Sequence, residues 1–433
     1  MAAVALSSEA SIRHSEELYR RIFQRIIPFL LFCYICSYLD RINVGFAKLQ
    51  MLRDLGFSET AYGLGAGVFF IGYFLFEVPS NIMMLRTGAK FWIGRIMITW
   101  GLISGAMIFA QTETTFYILR FLLGLAEAGF IPGVLYYLNC WFPANAKGRA
   151  TALFMGGIPL AGIIGAPLSG WILTGLNGAG GMAGWKWMFL VEALPTLIAG
   201  LVCFAWLDAG PETAKWLTPE EKASIAGDHS RENASKQSRT LREGVFNRGV
   251  WGLSLLYGMF MMGLYAISFW LPSIVSQSGV ADPARVGLLT AIPYGAALIA
   301  MYLVGQSSDR RRERRWHLAV PALIGAAGLA SSTIFSHDIV LAIIWLSIAT
   351  AGILTCVPQF YVIPPMMLGG SAAAAGFAII NSIGNLAGFI SPYLLGYIKD
   401  ATGSTAGGVL IVAACLLIGA GCVFAIPRTA VNK

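Results

Sequence analysis

The sequence has 433 residues, of which 57% are hydrophobic and 12% are charged, and its formal net charge is +8. Soluble globular domains carry about 25% charged residues, so this composition excludes a soluble fold. The apolar residues come in blocks of about 20, the length that an α-helix needs to cross a hydrocarbon core of about 30 Å. The basic residues lie in short runs between these blocks, which indicates membrane topology signals rather than a nucleic-acid surface.

The apolar blocks predict twelve membrane-spanning helices, six on each side of one long polar interval. Their predicted bounds are 22–47, 61–85, 91–110, 114–139, 149–175, 186–207, 249–277, 286–306, 316–336, 339–361, 372–397 and 405–426. We therefore expect an all-α integral membrane protein with two six-helix halves, 22–207 and 249–427. A linker, 208–248, joins them, and the segments 1–21 and 428–433 flank them. The first block is too long for a signal peptide, so we expect it to be retained.

The distribution of Lys and Arg tests this count, because a missed helix would scramble their alternation between the two sides of the membrane. One side collects Arg13, Arg20, Arg21, Arg25, Arg86, Lys90, Arg95, Lys147, Arg149, Lys215, Lys222, Arg231, Lys236, Arg239, Arg242, Arg248, Arg310, Arg311, Arg312, Arg314, Arg315, Arg428 and Lys433. The other side has Lys48, Arg53, Lys186, Arg285 and Lys399. This asymmetry predicts that both termini and the linker are cytoplasmic.

Two local patterns add to this organisation. Within the linker, Thr218-Pro219-Glu220-Glu221 is typical of a helix start with a capping box and proline at the first helical position. In the two halves, Gly162 before Pro167 on the fifth span corresponds to Gly388 before Pro392 on the eleventh. Secondary transporters are commonly built from such repeats, with the substrate site near the midplane between them.

Cysteines and histidines carry no sign of redox or metal chemistry. Cys33 and Cys36 lie in an apolar block, where Cys acts as a small hydrophobic residue. The four histidines have no metal-ligand spacing. The sequence therefore predicts no cofactor other than protons as a coupling ion.

The loop after the eighth span carries a specific motif. Gly305, Asp309, Arg310 and the later Arg314-Arg315 stand in the pattern G-x-x-x-D-R-x-x-x-R-R. This pattern resembles the signature of the major facilitator superfamily. The corresponding loop after the second span departs from it, because Leu85 stands where the Asp would be.

A narrower resemblance covers essentially the whole chain and is to the anion:cation symporter family, in particular its phthalate and tartrate transporter group. The segments that carry it are Tyr38–Asn43, Gly72-Tyr73, Glu77–Asn81, Arg120–Gly129, Trp141–Pro143, Gly165–Gly170, Gly184–Glu192 and Ala214–Leu217. The resemblance implies import of a small carboxylate such as tartrate, phthalate or a sugar acid. We expect a monomer in the inner membrane whose partners are the anion and the lipid bilayer, with no nucleic acid.

Four charged residues lie well inside predicted spans: Asp40 and Arg41 on the first, and Arg120 and Glu127 on the fourth. Charged side chains are costly at bilayer depth, so they are functional candidates. Guanidinium groups can bind a carboxylate through paired hydrogen bonds, and buried carboxyl groups can carry protons. The resemblance likewise implies proton coupling by the two acids and substrate or gating contacts by the two arginines. The alternative is that the four form ion pairs that only neutralise buried charge.

Other polar residues inside the predicted spans have the same two interpretations, function or helix packing. The resemblance implies substrate contacts by Tyr73 and Asn385, although either could serve helix packing. Asn381 lies one turn from Asn385 on the same helix face and could join it. Glu77 and Glu192 lie nearer the ends of their spans, so we leave both outside the proton path.

The sequence predicts a proton-coupled importer of a small organic anion that works by alternating access. The closest rival is a proton-driven exporter of organic anions or drugs, because Gly165–Gly170 partly matches an antiporter signature. A sensor would need an output module, and an enzyme would need a catalytic constellation; neither is visible in the sequence. A channel stays open as an alternative, which saturable, gradient-coupled uptake would argue against.

Overall fold

The computed structural model describes residues 2–234, 247–367 and 370–431. Within them, twelve helices are long and apolar enough to cross a membrane. Spans 1 to 12 are Glu16–Leu55, Glu59–Thr87, Ala89–Phe109, Glu113–Trp141, Ala146–Gly175, Gly184–Trp206, Arg248–Gln277, Pro283–Arg311, Arg315–Ile334, Ile339–Met367, Gly376–Thr402 and Ala406–Val423. The predicted all-α architecture with six plus six spans is confirmed.

We call spans 1–6 the N-half and spans 7–12 the C-half. Because each half has an even number of spans, both ends of the described chain lie on one side of the bundle, here termed the termini side. The opposite side, where span 1 ends and span 2 begins, is the far side. Span 1 runs on to Leu55, past its predicted end at 47. Its extension is stabilised by Lys48, which is 4% exposed and forms an ion pair with Glu59 at 2.6 Å.

Span 4 is not one continuous helix. Its first helix is Glu113–Glu127 and its second is Phe130–Trp141, with Gly129 between them at φ 91°. This left-handed backbone is unfavourable for residues with a Cβ, and a Cβ there would also lie 2.3 Å from the Ser80 hydroxyl oxygen. The Ser80 hydroxyl donates to the Ala128 carbonyl at 2.6 Å, which satisfies a group that the break exposes.

The two halves pack most closely along two helix pairs, span 2 with span 11 and span 5 with span 8, and span 1 also contacts span 7. A Cβ on Gly63 would lie 2.4 Å from the Pro392 carbonyl oxygen, and one on Gly287 would lie 2.3 Å from that of Ala166. Only glycine allows backbones to approach this closely, as is usual where membrane helices pack.

The glycines of the repeated pattern lie at the same boundary. Gly162 of span 5 faces the ring of Tyr294 in span 8, and Gly388 of span 11 faces the ring of Phe70 in span 2. In each half, the glycine of the shared pattern is therefore the position at which an aromatic ring of the other half packs against the helix backbone.

The far side is joined by a polar network. Glu59 at the start of span 2 pairs with Lys48 of its own half and with Lys399 of span 11. Asp400 accepts hydrogen bonds from the backbone amide of Glu59 at 3.2 Å and from that of Thr60 at 2.7 Å. The C-half thus supplies acceptors for the first turn of a helix in the N-half.

The described part of the linker contains the helix Pro219–Ala234. Its predicted capping box is present: the Glu221 amide donates to the Thr218 hydroxyl at 3.2 Å, and the Thr218 amide donates to the Glu221 carboxylate at 3.0 Å. Glu221 also pairs with Arg21 of span 1 at 3.0 Å, which fixes the helix against the N-half. Residues 235–246 of the predicted linker and 432–433 of the predicted tail lie outside the described residues.

Candidate functional site

The centre of the N-half holds a buried ion pair between span 1 and span 4. The Arg41 guanidinium donates to a Glu127 carboxylate oxygen, and the Ser37 hydroxyl donates to that same oxygen at 2.9 Å. Arg41 is 5% exposed and Glu127 is 2% exposed. Glu127 is the last residue before the break in span 4, so its carboxylate lies beside backbone that is not held in a regular helix.

Aromatic rings enclose this pair. The Arg41 guanidinium carbon lies 6.0 Å from the ring centroid of Tyr38, 5.4 Å from that of Phe69 and 5.7 Å from that of Tyr73. In the described part of the chain, neither the Arg41 Nε nor the Tyr73 hydroxyl has a hydrogen-bond partner. Two buried donors therefore adjoin the ion pair and are free to bind an acceptor.

Arg120 also lies beside the Phe69 ring, with its guanidinium carbon 5.0 Å from the ring centroid. It is fully buried, and its Nε and Nη2 donate to the carbonyl oxygens of Gly65 and Ala66, each at 3.3 Å. Its Nη1 has no hydrogen-bond partner within the described ranges. The structure thus brings Arg41, Arg120, Glu127 and Tyr73 together around one phenylalanine ring.

Asp40 faces elsewhere. Successive residues of a helix are about 100° apart around its axis, and Asp40 points into the interior of the N-half. Its carboxylate accepts from the Trp100 indole at 2.8 Å, the Ser104 hydroxyl at 3.1 Å and the Thr196 hydroxyl at 2.8 Å. These groups belong to spans 3 and 6, so the structure does not place Asp40 beside the Arg41–Glu127 pair.

The C-half presents neutral groups toward the same region. The Tyr265 hydroxyl of span 7 donates to the Asn385 side-chain oxygen at 2.7 Å, and the Tyr265 ring lies 4.3 Å from that of Phe70. The hydroxyls of Tyr38 and Ser268 lie 2.7 Å apart, which ties span 1 to span 7. Asn385 is therefore held at the boundary between the halves.

Asn381 contacts Glu77, a residue that the sequence predicted to lie outside the proton path. Its amide donates to a Glu77 oxygen at 2.6 Å, and the Ser382 hydroxyl donates to the other oxygen at 2.8 Å. Glu77 is 3% exposed. The only signal in the sequence was an acidic residue one helical turn beyond Tyr73, on the same helix face. Glu192, also left outside, accepts from Ser169 at 2.6 Å within the N-half.

The loop motif lies on the termini side. Asp309 pairs with Arg314 at 2.7 Å, and Arg314 also donates to the Ser308 hydroxyl at 2.8 Å. Gly305 faces the Gln359 side chain, and a Cβ there would make ordinary contact at 3.7 Å. The following Arg310 is exposed. The motif therefore closes its own loop with an ion pair, far from the buried arginines.

Metal-ligating groups are not clustered: in residues 2–234, 247–367 and 370–431 no three His, Cys, Asp or Glu side chains could hold a metal ion together. The site instead combines two guanidinium groups, one paired carboxylate and neutral hydroxyl and amide groups inside a bundle of twelve spans. This combination, in this fold, defines a membrane transporter rather than an enzyme.

The chain belongs to the Major Facilitator Superfamily, whose profile matches residues 30–392. The solved xylose transporter XylE of E. coli, in a partially occluded inward-open conformation, superposes with a TM-score of 0.74. The comparison covers 94% of this chain and 98% of that one at 14% identity, so it concerns the fold alone.

Relatives with similar sequences carry transporter names. NicT of Pseudomonas putida, named as a metabolite transport protein, is 49% identical over 100% of this chain and 99% of its own length. A protein of Agrobacterium vitis named for tartrate transport is 47% identical over 93% of this chain and 89% of its own. A quinolone resistance transporter of Acinetobacter baumannii is 37% identical over 93% of each.

Proposed function

We propose that this chain imports a small organic anion together with protons, by alternating access across the inner membrane with both termini in the cytoplasm. The observation that carries the proposal is the buried Arg41–Glu127 ion pair. Beside it lie two donors, Arg41 Nε and the Tyr73 hydroxyl, for which the described residues provide no hydrogen-bond partner. The tartrate-named relative supports a carboxylate as the anion. The distribution of Lys and Arg supports the orientation.

The ion pair offers a direct coupling between anion and proton. A substrate carboxylate that binds the Arg41 fork competes with Glu127 for the same donors. Two carboxylates at one guanidinium repel each other, which favours protonation of one of them. Proton uptake by Glu127 therefore frees Arg41 for the substrate, and binding of the substrate in turn favours the proton on Glu127.

Arg120 and the neutral groups define the remainder of the substrate site. Arg120 Nη1 offers a second charged donor for an anionic oxygen, next to the Phe69 ring that Arg41 also adjoins. On the C-half side, Asn385 and Asn381, one turn apart, offer side-chain amides. These can hydrogen-bond a hydroxyl group or a second carboxylate of the substrate. A small acid with more than one polar group fits this set.

Asp40 enters the proposal as a second proton site rather than a substrate contact. Its carboxylate is 2% exposed, and the described groups that donate to it are neutral. It is adjacent in sequence to Arg41, so a change in its charge would act on the site through span 1.

The test is uptake into proteoliposomes across a panel of small carboxylates, with and without an inward proton gradient. Wild-type protein should accumulate one or more of them only when the gradient is present. Glu127→Gln should retain exchange of substrate at equilibrium and lose accumulation driven by the gradient. Gradient-driven accumulation by Glu127→Gln equal to that of wild type would contradict this assignment.

Export is the second candidate, favoured by the similarity to the quinolone resistance transporter. The same vesicles discriminate the two directions. An exporter would show no substrate accumulation driven by an inward proton gradient, and it would lower drug susceptibility when produced in a sensitive cell.

A further inference from the structure

Glu77 is a buried carboxylate that the proposed proton path does not use. It lies in span 2, past the middle of the span toward the termini side, and both hydrogen bonds described for it come from the other half of the protein. Asn381 donates to one of its oxygens at 2.6 Å and Ser382 to the other at 2.8 Å. Of the hydrogen bonds described between the two halves, this pair lies nearest the termini side.

Uncharged groups surround this carboxylate. The Asn381 oxygen accepts from the Tyr361 hydroxyl of span 10 at 3.2 Å, and the Tyr361 hydroxyl lies 2.9 Å from that of Tyr257 in span 7. The titratable neighbours of Glu77 are Tyr73, one turn earlier on its own helix, and Tyr361 of span 10. The charged group beyond them is Arg41, whose guanidinium carbon lies 5.7 Å from the Tyr73 ring centroid. Among the described residues no Lys or Arg forms an ion pair with Glu77.

The two donors suit an ionised carboxylate. An ionised Glu accepts on both oxygens, whereas a protonated one carries a hydrogen on one oxygen. That hydrogen would either face the Asn381 amide group, which cannot accept it, or require the Ser382 hydroxyl to turn from donor to acceptor. Protonation therefore weakens the contact between spans 2 and 11, and it also removes the charge that strengthens both hydrogen bonds.

We propose that Glu77 is a latch whose ionised form holds the two halves together on the termini side and whose protonation releases them. The proposal deepens the proposed function, because opening toward the termini side would then require a proton. With the cytoplasm on that side, an importer gains a safeguard: substrate reaches the cytoplasm only when protons are loaded.

The distance between the halves on the termini side tests this latch. Spin labels are attached at Thr87→Cys in span 2 and Arg311→Cys in span 8, after Cys140, Cys415 and Cys422 have been replaced by Ser. Electron–electron distances are then measured in lipid nanodiscs without substrate, at alkaline and at acidic pH. In the otherwise unchanged protein, the population with the longer distance should grow as the pH falls.

Glu77→Gln should lose this pH-driven shift and hold the longer distance at both pH values. Ser382→Ala removes one donor and keeps the carboxylate, so it should increase the longer-distance population at alkaline pH and retain part of the shift. The control is Glu192→Gln, which neutralises a buried carboxylate whose described partner, Ser169, lies in the same half. In this control, the longer-distance population should grow at acidic pH as much as it does in the otherwise unchanged protein.

Three outcomes would overturn the latch: no pH-driven shift in the unchanged protein, an undiminished shift in Glu77→Gln, or the same loss in Glu192→Gln. Elution as a single species in size-exclusion chromatography verifies that each variant is folded. The failure of the proposed function is recognised separately, because wild-type uptake would then be independent of the proton gradient whatever the distances show.

Discussion

The two halves of this protein share one fold and differ in what they bury. Within the described ranges, the buried charged side chains of the spans belong to the N-half: Asp40, Arg41, Lys48, Glu77, Arg120, Glu127 and Glu192. The buried polar groups of the C-half spans are hydroxyls and amides, such as Ser268, Thr290, Gln359, Asn381 and Asn385. One half therefore holds charge, and the other supplies neutral hydrogen bonds.

This difference follows from the cost of charge in a membrane. Arg41 and Glu127 compensate each other within one half, so their pairing does not depend on contacts that break when the halves move. Glu77 is the exception, because the hydrogen bonds described for it come from the C-half. Neutral donors and acceptors cost less to separate. We infer that the N-half carries ion binding and the C-half adjusts which substrate fits.

The largest effect should come from Arg41→Ala. It removes the fork and leaves Glu127 buried without its partner, and breaking a buried pair in this way costs about 3–5 kcal/mol. We expect uptake to be abolished and thermal stability to fall. Arg41→Lys keeps the charge without the planar fork, so it should fold normally and bind substrate about tenfold more weakly. If calorimetry gives Arg41→Lys and wild type the same affinity, paired binding of the substrate carboxylate by the Arg41 guanidinium is excluded.

Arg120→Ala should also abolish uptake, with a smaller effect on stability, because the described partners of Arg120 are the carbonyl oxygens of Gly65 and Ala66 rather than a charge. The loss of a charged donor to an anionic ligand corresponds to about 1.5–3 kcal/mol, or about 10- to 150-fold in affinity. Substrate affinity of the purified variant, measured in detergent, distinguishes the loss of a binding contact from a folding defect. Unchanged affinity would show that Arg120 contributes only to helix packing.

In the C-half, Asn385→Ala should have a moderate effect. A neutral hydrogen bond contributes about 0.5–1.5 kcal/mol, so KM should rise about two- to tenfold while proton coupling is retained. Tyr265→Phe removes the hydrogen-bond partner of Asn385. In the double variant, the increase in KM should be smaller than the two single effects combined, because the two side chains are hydrogen-bonded to each other. Loss of coupling in Asn385→Ala would contradict the division between the halves.

The smallest effect concerns the linker, outside both halves. Thr218→Ala removes the capping box and should destabilise the linker helix by about 1 kcal/mol. Limited proteolysis should cleave the linker of this variant faster than that of wild type, because its helix is less stable. Substrate uptake should be unchanged. Ser230→Ala, on an exposed face of the same helix, is the matched control and should leave the cleavage rate as it is.

The spans were predictable because length and apolarity alone specify a membrane helix, and the capping box because it is a local pattern. The charged candidates Asp40, Arg41, Arg120 and Glu127 could be selected from their charge at bilayer depth, whereas Tyr73 and Asn385 were selected from the family resemblance. Their partners could not be predicted, because the sequence does not show which way Asp40 and Arg41 point from span 1. In the folded protein, Asp40 faces spans 3 and 6 and Arg41 faces Glu127. The contact of Glu77 with Asn381 joins residues 304 positions apart, which no local pattern reveals.

The capping of span 2 by Asp400 has a consequence for the resting protein. When the halves separate on the far side, the amides of Glu59 and Thr60 lose acceptors that belong to the other half, and Glu59 loses Lys399. Opening on the far side therefore exposes unpaired amides at a helix end as well as separating two surfaces. Water or a solute would have to supply acceptors for those amides, so these contacts favour the state that is closed on the far side.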